Sequence, residues 1–154
     1  MKEGAIIEVA GPYGLFTLPE AISTPLVFLA GGIGITPLAC HIQYLVQSSH
    51  PLPFFLFYSN RHENEIAYRG LIDSLSDLNP NFTPVYTLTG IDSPADWEGE
   101  KGRISIPMLQ KHIGNIPLTS CCFYLCGSPP FVGSLIELLK SSSVPQEKIH
   151  KEQW

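Results

Sequence analysis

The stretch "AGGIGITPLA", residues 30–39, places three glycines, a threonine and a proline inside an otherwise apolar run. Gly32 and Gly34 lack side chains, so the backbone there can approach phosphate oxygens within hydrogen-bonding distance. The free N–H groups and the positive dipole end of a following helix would favour the anion, and the Thr36 hydroxyl adds a donor. The alternative is that these glycines only make a tight turn and allow close packing of strand and helix.

A second turn of the same design occurs in "CGSPP", residues 126–130. Ser128 is a natural N-cap, and Pro129 suits the first helical position that follows it. If both turns follow parallel strands, they open at the same edge of the sheet. Two helix N-termini could then converge on one ligand.

Other kinds of chemistry find little support in the sequence. The four cysteines do not have metal-ligand spacing, the five histidines are scattered, and nucleophile-elbow, P-loop and EF-hand patterns are missing, so we predict no metal site. A formal net charge of -5 argues against nucleic acid as a partner. The longest apolar run is short and broken by glycine and proline, and the first residues do not resemble a secretory signal, so we predict no membrane span and a cytoplasmic location.

The elements around the two turns alternate between apolar strands and amphipathic helices. Strands are predicted at residues 25–31, 53–59, 82–88 and 121–127, with a closing strand around 148–151. A helix is predicted after each of these first four strands. The first is capped by Thr36 with Pro37 as its first residue, and the second covers residues 64–78 with Ala67, Leu71, Leu75 and Leu78 facing inward. The third is short and capped by Ser105, and the fourth begins at Pro129. The loop between residues 89 and 101 separates the third strand from the short helix. This order is typical of an α/β, doubly wound (Rossmann-like) parallel sheet of about five strands with helices on both faces.

The N-terminal piece does not fit that alternation. "AIIEVAGPYGLF", residues 5–16, alternates like an antiparallel strand and reaches a Gly-Pro-x-Gly turn before any helix. It is interpreted as the end of a different structural unit.

Six segments together resemble, in order, the pyridine-nucleotide half of the ferredoxin-NADP reductase superfamily. They are "GPYGLF" (11–16), "GGIGITP" (31–37), "FYSNRHENEIAYR" (57–69), "WEGEKGRIS" (97–105), "FYLCGSPPFV" (123–132) and "IHKEQW" (149–154). The resemblance implies a two-domain flavoprotein oxidoreductase, in which a barrel binds FAD or FMN and the second domain brings NADH or NADPH to it. Residues 1–18 would then be the end of the flavin barrel and the interdomain linker, and residues 19–154 the nucleotide-binding domain, with the flavin bound mainly by a domain absent from this sequence.

The resemblance also implies roles for individual residues. Those expected at the pyrophosphate and the nicotinamide ribose are Gly32, Gly34, Ile35, Thr36 and Pro37, and those expected to face the nicotinamide are Cys126, Gly127, Ser128 and Pro129. Cys126 and Thr36 are the candidate catalytic residues, with the thiol beside the carbon that donates hydride. The alternative for Cys126 is an inert buried thiol. Because the cofactors carry the chemistry, no general base is needed.

Cofactor preference is expected to depend on the end of the second strand, "YSNRHENE". Asn60 and Arg61 are placed to contact the adenine ribose, and Glu63 or Glu65 would be the acids that accept a 2'-hydroxyl. Related sequences with such a segment use either cofactor, and Arg61 could equally be a solvated side chain, so the preference between NADH and NADPH stays open.

Aromatic residues at both ends could contact the flavin, since the family commonly has an acid and an aromatic residue at its C-terminus. Glu152 and Trp154 fit that pattern, whereas Tyr13 and Phe16 could equally pack between the domains. The main interpretation is an NAD(P)H-binding domain of a flavoprotein oxidoreductase. The alternative is a stand-alone nucleotide-binding or interaction module without redox activity.

Overall fold

The part of the chain described by the computed structural model, residues 4–11, 14–90, 94 and 96–153, contains six strands and four α-helices. The strands are β1 (Leu26–Gly31), β2 (Phe54–Asn60), β3 (Phe82–Leu88), β4 (Glu100–Lys101), β5 (Cys122–Gly127) and β6 (Ile149–Gln153). The helices are α1 (Ile35–Gln47), α2 (Arg69–Leu78), α3 (Ile106–Ile113) and α4 (Pro129–Ser141).

All strands belong to one parallel sheet with the order β4-β3-β2-β1-β5-β6. From β1 the chain builds outward through β2, β3 and β4, then returns to place β5 on the other side of β1. The strand order therefore reverses between β1 and β5, where Ala30 lies in register with Cys126. Such a reversal is where open α/β sheets bind ligands.

Alternate residues of β1 enter two separate cores. Leu26 and Phe28 pack in one cluster with residues of α1 and α2, and Val27 and Leu29 pack in the other with residues of α3 and α4. A strand buried on both faces must be apolar throughout, which explains its uninterrupted apolar sequence. The predicted doubly wound α/β fold is confirmed.

The sheet has six strands rather than about five, because β4 forms inside the predicted loop between residues 89 and 101. It pairs Glu100 and Lys101 with Thr87 and Leu88 at the end of β3. A two-residue strand of charged side chains has no hydrophobic pattern that sequence analysis could detect.

The second helix was predicted too long, and its buried face was partly wrong: Leu75 is buried as predicted, and Ala67 packs against the core but precedes the helix. It begins at Arg69 rather than at residue 64, after Tyr68, whose φ of 59° is left-handed. Leu71 and Leu78 are 40% and 74% exposed, whereas Ile72, which the predicted stripe omitted, is buried with Leu75. Residues spaced four apart do not stay on one face of a helix with 3.6 residues per turn, so a stripe predicted from that spacing moves away from the core.

The antiparallel strand predicted over residues 5–16 is not formed by the residues of this segment that the structure describes. Ile6, Val9 and Leu15 are 100%, 81% and 98% exposed. A strand needs a partner strand, and the described part of the chain provides none here. Phe16 packs instead on the rings of His41 and Tyr124, with centroids 5.5 and 5.6 Å away, while Tyr13 lies outside the described residues.

Candidate functional site

The glycines of the first turn have different structural roles. Gly34 packs so closely on the end of β5 that a Cβ atom would lie 2.1 Å from the carbonyl oxygen of Cys126. Gly32 has a φ of +53°, and a Cβ atom there would meet nothing within 4 Å. Gly34 therefore permits close packing, as the alternative interpretation held, and Gly32 makes the turn and leaves its backbone open to a ligand.

Thr36 does not cap α1, contrary to prediction. The helix begins at Ile35 with Gly34 in the N-cap position, and the Thr36 hydroxyl donates a hydrogen bond to the carbonyl of Ile33 at 3.1 Å. A single 3-10 turn, Gly32–Gly34, runs directly into the helix and moves its start ahead of the threonine. Pro37 is the third helical residue rather than the first, where its missing N–H costs no intrahelical bond.

The second turn begins as predicted, with Ser128 in the N-cap position and Pro129 as the first residue of α4. The Ser128 side chain makes no capping hydrogen bond. Phe131, which was not among the predicted site residues, covers the ends of β1 and β5. Cβ atoms placed on Gly31 and Gly127 would lie 2.9 and 2.7 Å from its ring.

A cleft of about 530 Å³ opens where the strand order reverses, and we call it the switch-point cleft. Its volume is in the range of small-molecule sites. The lining residues come from the ends of β1, β2 and β3, the loop after β2, and the start of α4: Gly31, Gly32, Ile33, Tyr58, Ser59, Asn60, Arg61, Glu65, Ala67, Thr89, Ser128 and Phe131.

Four of the predicted cofactor-binding residues therefore lie around one cleft: Gly32, Asn60, Arg61 and Ser128. The other seven do not line it. Of these, Gly34, Ile35, Cys126 and Gly127 are buried, Pro37 is half-buried, and Thr36 and Pro129 are exposed.

Two buried polar side chains of β2 line this cleft without partners. Asn60 is 5% exposed, and neither atom of its amide forms a hydrogen bond in the described part of the chain. The buried Tyr58 hydroxyl likewise has no partner there with the distance and angle of a hydrogen bond, although the Asn60 side chain and the Ala67 backbone lie near it. Burial raises the pKa of this hydroxyl, and these two neighbours lower it. Because buried polar groups are nearly always paired, these atoms indicate a place for a polar ligand.

The acids near Arg61 are held by other groups. Glu65 accepts hydrogen bonds from the backbone N–H groups of Arg61 and His62, at 3.2 and 3.1 Å, through the same carboxylate oxygen. Glu63 forms an ion pair with Arg69. Arg61 is exposed and makes no ion pair with any residue that the structure describes.

Cys126 is fully buried at the end of β5, and burial raises the pKa of its thiol to about 11, with Glu152 adding to the shift. The thiol is therefore protonated and neutral at physiological pH. Glu152 itself is exposed on β6, and Trp154 lies outside the described residues.

The described ranges contain neither a metal-binding cluster nor a membrane-spanning helix. These ranges contain no group of three or more histidine, cysteine or acidic side chains arranged for a metal ion. They also contain no helix of the length and hydropathy needed to span a membrane.

The fold and the cleft define a doubly wound α/β domain with a ligand-sized cleft at the reversal of its strand order. The model of the oxidoreductase NAD-binding domain family matches residues 28–135. The chain belongs to this family.

Curated relatives match almost the whole chain. It is 32% identical over 150 residues to cytochrome b5 reductase 4 of Danio rerio, covering 96% of this chain and 28% of that protein. It is 31% identical over 153 residues to the flavohemoprotein of Xylella fastidiosa, covering 98% of this chain and 37% of that protein. The chain thus spans about a third of the length of these relatives.

Solved structures show the same fold. The flavohem-like FAD/NAD binding domain of nitric oxide dioxygenase from Vibrio cholerae superposes with a TM-score of 0.80 at 20% identity, over 92% of this chain and 55% of that one. Flavohemoglobin from Malassezia yamatoensis gives a TM-score of 0.78 at 24% identity, over 92% of this chain and 35% of that one.

Proposed function

We propose that this chain is the NAD(P)H-binding domain of a flavoprotein oxidoreductase and presents the nicotinamide for hydride transfer to FAD or FMN. The observation that carries the proposal is the switch-point cleft, where the open backbone of Gly32 and the unpaired amide of Asn60 face one ligand-sized space. Family membership supports a nicotinamide nucleotide as that ligand.

The chain's own contribution is binding and orientation. Gly32 and the start of α4 would hold the diphosphate, and Asn60 and Arg61 the adenosine ribose. Cys126 and Thr36 are proposed to lie on the nicotinamide side, where the neutral Cys126 thiol acts by packing rather than by proton transfer. When bound, the nicotinamide supplies the hydride and the flavin accepts it, so the protein mainly aligns two rings and excludes water.

We further propose that residues 1–18 end a flavin-binding barrel and link it to the nucleotide domain formed by residues 19–154. The exposed apolar side chains of Ile6, Val9 and Leu15 support this division, because they would be buried in a completed barrel sheet. Phe16, packed on His41, would mark where the linker joins the second domain. The flavin domain is thus the first partner, and a further electron acceptor would follow it.

The cytoplasm is the proposed location. All four cysteines, Cys40, Cys121, Cys122 and Cys126, are free thiols, as is usual in a reducing compartment.

Calorimetric titration of the chain with NADH and with NADPH tests nucleotide binding. We expect at least one to bind with a dissociation constant below about 1 mM. Absence of binding by both would overturn the proposal in favour of an interaction module.

Redox function is tested on the full-length protein under anaerobic conditions. Addition of the nucleotide should bleach the flavin absorbance, and Asn60→Ala should slow that reduction at subsaturating nucleotide. If the full-length protein contains no flavin, the redox function is overturned, and the interpretation as a nucleotide-binding module without redox activity is supported.

A further inference from the structure

The loop that follows β2, residues 61–65, forms part of the wall of the switch-point cleft, and we call it the β2 loop. Its residues Arg61 and Glu65 line the cleft. One carboxylate oxygen of Glu65 accepts hydrogen bonds from the N–H groups of Arg61 and His62, and the Glu65 N–H donates to the His62 carbonyl at 3.2 Å. These bonds set the internal shape of the loop, but they do not attach it to the rest of the domain.

The β2 loop is joined to the rest of the domain by a backbone hydrogen bond and by an ion pair. The N–H of Gly90, beyond β3, donates to the Arg61 carbonyl at 2.9 Å. The Arg69 guanidinium, at the start of α2, donates to the Glu63 carboxylate. Neither Glu63 nor Arg69 lines the switch-point cleft, so this ion pair holds the loop from outside the site.

Two aromatic rings fix the orientation of the Arg69 guanidinium. It lies over the rings of Tyr86 and Trp97, with 5.6 and 5.5 Å from its central carbon to the ring centroids, and the ring faces attract the cation. Each ring is itself held by a hydrogen bond. The Tyr86 hydroxyl donates to Asp73 at 2.6 Å, and the indole N–H of the buried Trp97 donates to the Glu100 carbonyl at 2.9 Å. An arginine oriented in this way loses little further freedom when it binds a carboxylate.

We infer that Arg69 is a positioning residue for nucleotide binding: through Glu63 it holds the β2 loop in the conformation that presents Arg61 and Glu65 to the switch-point cleft. This inference rests on the proposed function and adds a residue that does not touch the nucleotide. A loop that is already held in its binding conformation loses less freedom when the ligand arrives. Release of the loop should therefore weaken nucleotide binding.

A double-mutant cycle tests this inference by calorimetric titration with NADH and with NADPH. The four proteins are the wild type, Arg69→Gln, Glu63→Gln and the variant with both changes. Each single change should lower the affinity for the more tightly bound nucleotide about threefold, as expected for the loss of a partly exposed ion pair. The double variant should also lose about threefold rather than about ninefold, because both changes remove the same contact.

The sign of the Glu63→Gln effect separates positioning from general electrostatic attraction. Both nucleotides are anions, so attraction alone would make Arg69→Gln weaken binding and Glu63→Gln strengthen it. Positioning requires that both changes weaken binding. Glu63→Gln therefore keeps the test decisive even if Arg69→Gln does not fold.

Asp73→Asn is the matched control for Glu63→Gln. The Asp73 carboxylate also lies near Arg69, with 3.9 Å between Oδ2 and Nε, but it belongs to α2 and not to the β2 loop. This change should leave the nucleotide affinity within about 1.5-fold of the wild type. The urea midpoint of unfolding should fall, because the Tyr86 hydroxyl loses its charged acceptor.

Flavin reduction in the full-length protein gives a second readout. Arg69→Gln should raise the nucleotide concentration that gives half the limiting rate about threefold and leave the limiting rate unchanged. A residue that only stabilised the fold would change neither quantity in protein that remains folded.

Three results would overturn the inference while leaving the proposed function intact. They are an unchanged affinity in Arg69→Gln, a raised affinity in Glu63→Gln, and losses that multiply in the double variant. An equal loss of affinity in Asp73→Asn would also overturn it, since the effect would then not depend on the β2 loop. If the wild-type chain binds neither NADH nor NADPH, the proposed function itself is overturned.

Discussion

The Cβ position of Gly34 lies 2.1 Å from the carbonyl oxygen of Cys126, so the start of α1 packs directly on the end of β5. No side chain larger than hydrogen fits between the two backbones. The parallel pairing of β1 and β5 places the two glycine turns at the same edge of the sheet, and this contact lets their backbones touch there. The switch-point cleft depends on it, because its walls come from both turns.

Replacing Gly34 by alanine should destabilise the domain strongly. The added methyl group overlaps the backbone of β5, and we expect the free energy of unfolding to fall by about 3 kcal/mol. Gly32→Ala is the matched control: its Cβ enters open space, and its left-handed backbone costs only about 1 kcal/mol. Urea unfolding followed by tryptophan fluorescence measures both, and equal losses would contradict the packing role.

Asn60→Ala should separate binding from stability. Neither atom of the amide has a partner of hydrogen-bond geometry in the described protein, and Tyr58 is its polar neighbour. We therefore expect the free energy of unfolding to change by less than about 1 kcal/mol while nucleotide affinity falls about tenfold. Unfolding and calorimetric titration are measured on the same preparation.

Asn79→Ala is the control for that variant. Asn79 is equally buried, but it donates to the His50 carbonyl at 3.4 Å and accepts from the Asn81 N–H at 2.9 Å. It should lose about 1 to 2 kcal/mol of stability and keep its nucleotide affinity. The opposite pattern in the two variants would show that Asn60 has a structural role.

Stability should decrease in alkali because two thiols are buried. Burial raises the pKa of Cys121 and of Cys126 from 9.0 to about 11. Below pH 9 both thiols are protonated in the folded and in the unfolded protein. Above pH 9 the thiols of the unfolded protein ionise first, because their pKa there is lower. Their stabilising contribution is therefore complete below pH 9 and lost as the pH rises toward 11.

Urea unfolding at pH values from 7 to 10 measures this loss. A Cys121→Ala/Cys126→Ala double variant should show a weaker dependence on pH above 9, while Cys40→Ala, which removes an exposed thiol, should follow the wild type. If the double variant loses stability with pH above 9 as steeply as the wild type, the two thiols are excluded as the cause of that loss.

Glu100 should contribute stability that disappears in acid. Its carboxylate accepts hydrogen bonds from Lys111 and His112, at 2.6 and 2.7 Å, and these two neighbours lower its pKa below 4.5. The contribution is present above the ordinary pKa and lost as the pH falls through the lowered one. Glu100→Gln should cost up to about 1 kcal/mol at pH 7, and the difference from the wild type should shrink in acid unfolding experiments below pH 4.5. A difference that persists in acid would assign the loss to packing.

The sequence by itself determined the layers of this protein and the place of its cleft. The uninterrupted apolar sequence of Leu26–Gly31 indicates a strand that is buried on both faces. The alternation of such strands with amphipathic helices can be recognised from the spacing of apolar residues along the chain. The turns at Gly32 and Ser128 were recognisable for the same reason, since each depends on the residue types of a single short segment.

Only the tertiary structure decided which residues meet. The exclusion of any side chain at Gly34, the cover that Phe131 provides and the isolation of the Asn60 amide all depend on segments distant in the chain. Strand β4 forms because the end of β3 offers it a partner, and the residues of 5–16 that the structure describes form no strand because they have none. Hydrogen bonds between strands join residues far apart in sequence, so local pattern could not place Thr89 beside Asn60 or Gly102 beside Leu88.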